Sequence, residues 1–324
     1  MATELHDAHN RKIDYLRLSI TDRCNLRCRY CMPETGVSPK PHTNMMSYEE
    51  IIAFAHLAAK VGITRIRLTG GEPLVRKGVV NLVASLNAIE ELEEVSMTTN
   101  GILLARYAKD LWKAGLRRVN ISVDSLDSKV YTELTRWGRL EDALAGMEAA
   151  LDAGMKPVKI NVVVLRGVND DLEPFARLTM DYPVHVRFIE YMPAFYEEGK
   201  GDFVSGEELE TKILALGPID KTESPGGAGP ARYFRLTGAK GTLGLIGSSK
   251  GHFCHSCNRL RLTADGKLRT CLFSDQEIDI LPALRGGEPK DLMELIERAL
   301  KEKPKDRFAR REGKINRKMS QIGG

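Results

Sequence analysis

The chain has 324 residues, of which 42% are hydrophobic and 28% are charged, with 48 Lys and Arg against 44 Asp and Glu. This composition excludes a disordered, collagen-like or coiled-coil chain, and a net charge of +4 does not require a nucleic-acid partner. No apolar stretch reaches the roughly 18 residues that span a bilayer, and the start lacks a secretory signal, so we expect a cytoplasmic protein without membrane contact.

The first 190 residues alternate segments that are typical of strands and of helices. Strands are predicted at residues 15–20, 65–69, 94–98, 118–123, 159–165 and 185–190. Helices are predicted at residues 47–61, 101–114, 139–153 and 172–180, the first with a capping-box signature at Ser47 and Glu50. This order predicts an α/β fold with a parallel sheet, here an incomplete (β/α)6 barrel of TIM type, whose ligands bind at the C-terminal strand ends.

The pattern changes after residue 216. Residues 217–231 are rich in Gly and Pro, and we expect them to be a linker between a barrel domain, residues 1–216, and a C-terminal region, residues 232–324. In that region strands are predicted at 232–236, 243–246, 259–263 and 267–270, with a hairpin turn at 264–266 and a helix at 290–301. The C-terminal region is therefore predicted as an extension of short antiparallel strands and helices.

Two predicted barrel strands carry polar side chains on one face. Arg17 and Ser19 share a face of the first strand, and Arg67 and Thr69 share a face of the second. Since a buried parallel sheet is normally apolar on both faces, these positions indicate a lumen that holds a charged ligand. The alternative is that the arginines pair with carboxylates at the strand ends.

The six cysteines fall into two groups of three. The first group, Cys24, Cys28 and Cys31, has the spacing C-x3-C-x2-C directly after the first strand. Three thiolates can hold a [4Fe–4S] cluster and leave one iron without a protein ligand. A structural zinc ion would need a fourth ligand, for which the nearest histidine is His42.

This spacing, with an aromatic residue before the last cysteine, resembles the radical S-adenosylmethionine (SAM) superfamily. The Thr-Gly-Gly-Glu-Pro run at residues 69–73 resembles the GGEP motif of that superfamily. The resemblance implies that the open iron binds SAM and that one electron from the cluster then gives a 5′-deoxyadenosyl radical. It also implies that SAM contacts Tyr30, Gly71, Ser122 and Met192.

The second group, Cys254, Cys257 and Cys271, has the spacing C-x2-C-x13-C. On spacing alone this group fits either a second iron–sulfur cluster or a zinc ion. A zinc site would be completed by His252 or His255.

Two arginines follow this group. Arg259 and Arg261 point to one side of a predicted strand, where adjacent guanidinium groups suit a polyphosphate. The block at residues 251–272 and the terminal Gly323-Gly324 are similar to the molybdenum cofactor biosynthesis protein A family, the GTP 3′,8-cyclases. The resemblance implies a second [4Fe–4S] cluster on Cys254, Cys257 and Cys271, and catalytic positions at Arg17, Arg259, Arg261, Gly323 and Gly324. It implies GTP contacts at Arg17, Arg67, Thr98, Lys159, Arg259, Leu260 and Arg261. The loop at residues 193–202 departs from the family pattern.

The same resemblance implies a reaction. The radical would take the ribose 3′-hydrogen of GTP, and the C3′ radical would add to guanine C8. Reduction of the resulting aminyl radical through the second cluster, with uptake of a proton, would give (8S)-3′,8-cyclo-7,8-dihydroguanosine 5′-triphosphate, the first step towards molybdopterin. The implied partners are an electron donor, a second copy in a homodimer and a downstream cyclic pyranopterin monophosphate synthase. Two alternatives remain open: another two-cluster radical SAM enzyme that acts on peptide or RNA, and a zinc-ribbon module that binds nucleic acid through the basic segment 303–318.

Overall fold

The computed structural model describes residues 4–38, 40–191, 202–226, 229–247, 253–309 and 317–323. Its strands are β1 (Tyr15–Ser19), β2 (Arg65–Thr69), β3 (Glu94–Thr99), β4 (Arg118–Ser122), β5 (Val158–Val164), β6 (Val184–Glu190), β7 (Ile219–Thr222), β8 (Arg232–Leu236), β9 (Thr242–Ile246), β10 (Arg259–Leu262), β11 (Lys267–Arg269) and β12 (Ile278–Asp279). Its helices are α1 (Tyr48–Lys60), α2 (Val79–Asn87), α3 (Leu104–Lys113), α4 (Ser128–Thr135), α5 (Leu140–Asp152), α6 (Glu173–Asp181), α7 (Gly206–Leu214), α8 (Leu281–Gly286) and α9 (Pro289–Lys301). Every strand and helix predicted from the sequence is present.

Strands β1 to β6 lie side by side in chain order and are parallel, as the strand–helix alternation predicts. Strand β9 pairs in parallel with β6, and β10 pairs in parallel with β1, so the C-terminal region lengthens the same sheet at both edges. Antiparallel strands then complete each edge, β8 and β7 beyond β9, and β11 and β12 beyond β10. The prediction of an α/β fold with an incomplete barrel is confirmed. In the described ranges the two outermost strands, β7 and β12, do not pair with each other.

The helices pack on the outer face of the sheet because each carries an apolar stripe. Helix α1 begins at the predicted capping box, in which Ser47 Oγ accepts from the Glu50 N–H and the Glu50 carboxylate accepts from the Ser47 N–H. Its Phe54 joins Leu16 and Leu18 of β1 in one apolar core. Each buried leucine of this kind stabilises the fold by about 1.5–3 kcal/mol. Since side chains alternate along a strand, the outward leucines of β1 leave its polar residues facing the lumen.

Strand β7 lies within residues 217–231, the segment predicted as a linker, where it pairs with β8. Beyond β7 the segment returns to the barrel, and the Gly226 carbonyl accepts from Arg118 and from Lys159, both at 2.7 Å. Because both donors stand near the starts of their strands, this segment covers the N-terminal end of the lumen. In the part of the chain that the structure describes, none of the helices combines the length and hydrophobicity needed to cross a membrane.

Candidate active site in the barrel lumen

A cavity of about 370 Å³ occupies the lumen. All six cysteines line it, so the two groups that are far apart in the sequence open into one space. The cationic side chains in its wall are Arg17, Arg65, Arg67, Arg118, Lys159, Arg187, Arg259, Arg261 and Arg307. The structure thereby brings together the thiol groups and nearly all of the cations that the sequence singled out.

The first cysteine group lies on the loop after β1, at the C-terminal end of the barrel. The loop is held from outside by the end of α4, whose carbonyl groups accept from two backbone N–H groups of the loop. Burial raises the pKa of Cys24 to about 11 and that of Cys31 to about 12, and it also raises the pKa of Cys28. Because iron binds thiolates, assembly of a cluster on these neutral thiols requires the loss of their protons.

The glycines that follow β2 pack directly on this cysteine loop. The Gly71 N–H donates to the Thr21 carbonyl and the Glu72 N–H donates to the Arg23 carbonyl, both at 2.8 Å. A Cβ atom on Gly71 would overlap the Arg23 carbonyl oxygen, so this contact between backbones requires glycine. The motif therefore sets the position of the first cysteine group in addition to lining the cavity.

The Glu72 side chain extends the same connection to β3. Its carboxylate accepts from the N–H groups of Leu74 and Asn100 and from the Thr99 hydroxyl. Burial raises the pKa of Glu72 to about 7, although all three donors favour its ionised form. Asn100, for which the sequence suggested no role, also donates to Asn25 of the cysteine loop at 2.8 Å. The ends of β2 and β3 are thus tied to the loop that carries the thiols.

A buried carboxyl group beside the first cysteine group was missed by the sequence analysis. The Tyr30 hydroxyl donates to Asp124 Oδ2 at 2.7 Å, and the Val163 N–H donates to Asp124 Oδ1 at 2.8 Å. Burial raises the pKa of Asp124 to about 6. A signal was available, because Asp124 follows β4 two residues after Ser122, at the strand end where barrel ligands bind.

Of the four residues predicted to contact SAM, three lie in the cavity wall. Tyr30, Gly71 and Ser122 line the cavity together with the first cysteine group, and Met192 lies outside the described residues. Several buried hydroxyl groups of the cavity wall have no hydrogen-bond partner among the described residues, namely those of Thr69, Thr98 and Thr270. Since buried polar groups are normally paired, this wall fits a polar ligand.

The second cysteine group lies at the edge formed by β10 and β11. Cys254 starts the short 3-10 turn Cys254–Ser256, Cys257 follows it, and Cys271 comes after β11. Burial opposes ionisation of Cys257, but the positive charges of Lys303 and Arg259 lower the pKa of its thiol below the ordinary value. Burial raises the pKa of Cys254, so within this group the cationic environment is a property of Cys257.

The zinc alternative finds little support in the geometry. Among the described residues, no three His, Cys, Asp or Glu side chains come close enough together to hold a single metal ion. His255 is exposed and outside the cavity wall, and His252 lies outside the described residues. Each cysteine group places three thiols on one cavity wall. Three thiols can hold a [4Fe–4S] cluster and leave one iron open.

Three arginines stand side by side across neighbouring strands. Arg17 on β1 is in register with Arg67 on β2 and with Arg261 on β10. Adjacent strands are about 4.8 Å apart, so the three side chains enter the lumen as one row, which we call the arginine row. Burial, and next the charge of Arg261, lowers the pKa of Arg17, while burial lowers that of Arg261 to about 10. An anion of high charge would relieve this repulsion.

Two further cations come from the opposite wall. Lys159 on β5 and Arg187 on β6 both line the cavity, and Arg187 Nε donates to Asn161 Oδ1 at 2.9 Å. Burial, and next the charge of Arg187, lowers the pKa of Lys159 to about 7. Arg187 was missed, although the alternation that revealed Arg17 was also present in β6.

Two predicted nucleotide contacts differ from expectation. Arg67 contacts the Tyr15 hydroxyl and lies 4.0 Å from a Glu94 carboxylate oxygen, so the alternative of pairing with carboxylates holds in part. Leu260 is 2% exposed in the apolar core and is absent from the cavity wall. The prediction that Leu260 contacts the nucleotide is wrong for its side chain, because alternation turns it away from the lumen.

The C-terminal residues 317–323 return to the arginine row. The Gly323 carbonyl accepts from Arg17 Nη2 at 3.1 Å and from Arg261 Nη1 at 3.2 Å. Arg317 fixes the start of this segment through a bidentate ion pair with Asp265. Gly324 lies outside the described residues. The tail therefore meets two of the side chains that were predicted to bind the nucleotide.

Comparison with known proteins gives two family matches and a set of full-length relatives. Residues 18–179 match the radical SAM superfamily, and residues 184–309 match Molybdenum Cofactor Synthesis C. A GTP 3′,8-cyclase of Moorella thermoacetica is 50% identical over 323 residues, which cover 99% of this chain and 100% of that protein. A GTP 3′,8-cyclase of Thermodesulfovibrio yellowstonii is 48% identical over 328 residues, with the same shares.

Solved structures agree on the fold. Streptococcus suis SuiB bound to S-adenosylmethionine superposes with a TM-score of 0.63, covering 88% of this chain and 67% of that one, at 14% identity. An identity this low shows the fold alone. The full-length relatives are far more similar, at 50% and 48% identity. The chain belongs to the radical SAM superfamily and, within it, to the GTP 3′,8-cyclase family.

Proposed function

We propose that this protein is a GTP 3′,8-cyclase, which joins ribose C3′ to guanine C8 of GTP in the first step of molybdenum cofactor biosynthesis. The observation that carries the proposal is the single cavity that contains two groups of three thiols and a row of arginines in register. The chain is 50% identical to a GTP 3′,8-cyclase over 99% of its length, and this family membership supports the same activity.

Two groups of residues would hold the cofactors. Cys24, Cys28 and Cys31 hold the first [4Fe–4S] cluster, with SAM beside Tyr30, Gly71, Ser122 and Met192. Cys254, Cys257 and Cys271 hold the second cluster. When bound, the first cluster and SAM supply the 5′-deoxyadenosyl radical that removes the ribose hydrogen. The chain itself contributes the fixed loop, since the Gly71 and Glu72 contacts keep the first thiols at the strand ends.

The cations bind and orient the nucleotide. Arg17, Arg259 and Arg261 present guanidinium groups that bind the triphosphate. Arg67 on β2 and Thr98 on β3 continue this wall, and Lys159 on β5 faces it from the opposite wall. Anchoring at the phosphates limits the motion of the ribose and base, and cyclisation within one molecule depends on that orientation. The residues of this site thus act by binding and positioning, without a side chain assigned as general base.

The direct test is an anaerobic assay of the chain after reconstitution with iron and sulfide. SAM and a reductant are added with GTP, with ATP or with neither nucleotide. We expect 5′-deoxyadenosine to form in step with a cyclised guanosine triphosphate, and only with GTP. Equal SAM cleavage in all three samples would contradict GTP as the substrate, and zinc in place of iron would contradict the radical chemistry.

Lys159 is expected to make GTP binding depend on pH. Its pKa of about 7 means that the amine is charged below neutral pH and neutral above it, and only the charged form attracts phosphate. The KM for GTP should therefore rise above about pH 7, by at most about tenfold per pH unit. In Lys159→Arg, which stays charged, this rise should flatten. Equal pH profiles for the two proteins, measured under identical conditions, would contradict the assignment.

The proposal includes partners and a location. Reductive cleavage of SAM consumes an electron, so a one-electron donor must supply the first cluster. The family resemblance supports a homodimer, a cytoplasmic location and a cyclic pyranopterin monophosphate synthase that takes the product. The division into residues 1–216, 217–231 and 232–324 stays a prediction, and the match to Molybdenum Cofactor Synthesis C at residues 184–309 begins within the first of these parts. The peptide- or RNA-modifying alternative gains no support, because the likeness to SuiB concerns the fold alone.

A further inference from the structure

A buried lysine outside the catalytic set touches the second cysteine group. Lys303 follows the end of α9 by two residues and precedes Pro304, and its side chain is almost fully buried at 3% exposure. It is also the first residue of the basic segment 303–318. The apolar face of α9, including Ile296 and Leu300, packs in the core and brings this lysine inward.

Three acceptors surround the Lys303 ammonium group. Nζ lies 2.7 Å from the Arg259 carbonyl, 2.7 Å from the Thr270 carbonyl and 3.7 Å from Cys257 Sγ. An ammonium group has three N–H donors and no acceptor, so each donor has one partner. The three contacts therefore match the three donors of an ammonium group.

Each of these contacts bears on the second cysteine group or on the nucleotide site. Cys257 is one of the thiols, and the Thr270 carbonyl belongs to the residue before Cys271. The Arg259 carbonyl lies at the start of β10, two residues before Arg261. One side chain thus connects the Cys257 thiol and the backbone next to Cys271 to the strand that carries both arginines.

Arg11 anchors the third thiol residue to the same segment. Arg11 Nη1 donates to the Cys254 carbonyl and to the Lys305 carbonyl, and Nη2 donates to the Pro304 carbonyl, all within 2.8 Å. Asp7 holds the Arg11 guanidinium at 2.6 Å. The segment around Lys303 is therefore fixed from both sides, and the lysine has little freedom to move away from the thiols.

We infer that Lys303 is a positioning residue that holds Cys257 and the residue before Cys271, and that its charge raises the reduction potential of the second cluster. The potential of an iron–sulfur cluster depends on the net charge around it and on hydrogen bonds to its sulfur ligands. A buried cation beside a thiolate favours the reduced state, which carries one more negative charge. This inference rests on the proposed assignment of Cys254, Cys257 and Cys271 to a second cluster.

The test compares Lys303→Met, which keeps the length of the side chain, with Lys303→Arg, which keeps the charge. Lys301→Met is the matched control, because Lys301 is an exposed lysine in the last turn of α9. Iron is counted per chain, and the second cluster is titrated by electron paramagnetic resonance in the full-length chain that carries Cys24→Ala, Cys28→Ala and Cys31→Ala. The same titration is repeated on the proteins with both clusters.

We expect Lys303→Met to lower the ratio of reduced to oxidised second cluster at a fixed potential by about tenfold, a shift of about 59 mV for one electron. Lys303→Arg, which keeps the charge, should have a reduction potential close to that of the parent. The potential of Lys301→Met should equal that of the parent. If Lys303→Met fails to assemble the cluster, Lys303→Gln serves as the neutral variant, and a lower potential there supports the inference. An unchanged potential with intact iron would overturn the role of Lys303 alone. Iron missing from the second cysteine group of the parent would overturn the proposed function itself.

Discussion

Replacing Arg261 by alanine is expected to lower GTP cyclisation at least about a hundredfold while the chain keeps the iron of both clusters. Arg261 lines the lumen, in register with Arg17 and two residues after Arg259, and it is buried. A hydrogen bond to a charged group contributes about 1.5–3 kcal/mol, and a guanidinium can make two to one phosphate. Loss of about 3 kcal/mol corresponds to roughly a hundredfold in rate.

Two variants control this experiment. Arg261→Lys keeps the charge but loses the forked donor geometry, so it should give an intermediate rate. Arg177→Ala removes an exposed arginine whose ion pair with Glu173 lies on the surface of α6, and it should leave the rate unchanged. The measurements are initial rates of product formation and iron per chain. Loss of iron from Arg261→Ala would mean that the residue is structural, and an unchanged rate would contradict its role in binding.

Replacing Gly323 by alanine is expected to lower cyclisation at least about tenfold without loss of either cluster. Gly323 has φ of +75°, a conformation that costs other residues about 1–2 kcal/mol. An added Cβ would also overlap Thr69 Oγ1, so the end of the chain must leave its place on the arginine row. Arg17 and Arg261 would then lose the carbonyl group that both contact.

The control is Gly286→Ala, since a Cβ at that exposed glycine would meet no atom within 4 Å. Product formation, SAM cleavage and iron content are compared for the two variants, and for a chain that lacks residues 323–324. The truncated chain should lose cyclisation to at least the same degree. Full product formation by either tail variant would show that the end of the chain takes no part in the reaction.

The inward cations could be predicted because strand alternation is a local property. Arg17 and Arg67 lie in the lumen, as a period of two residues requires. The same alternation places Leu260 in the core, whereas the family resemblance implied a nucleotide contact at that residue. Helix α2 was not predicted, because it begins at Gly78 in a left-handed conformation and has no side-chain cap to announce it.

The remaining features depend on contacts between distant parts of the chain. The sequence of β10 does not show that its partner is β1, nor that the pairing is parallel. Likewise, the acceptors of Lys303 lie 33 to 46 residues before it, and no periodicity links them. Asp124 is buried because Tyr30 and β5 enclose it, which only the assembled barrel shows.

The pairing of β1 with β10 also has a consequence for synthesis of the protein. Asp14 and Asn258, which border these strands and hydrogen-bond to each other, are 244 residues apart. A ribosome adds about 5–20 residues per second, so β1 waits on the order of 10–50 seconds for its neighbour. During that time one edge of β1 is unpaired, which exposes it to pairing with other nascent chains. Arg17, which points inward from β1, places a charge on that waiting edge strand and so discourages aggregation before the barrel is complete.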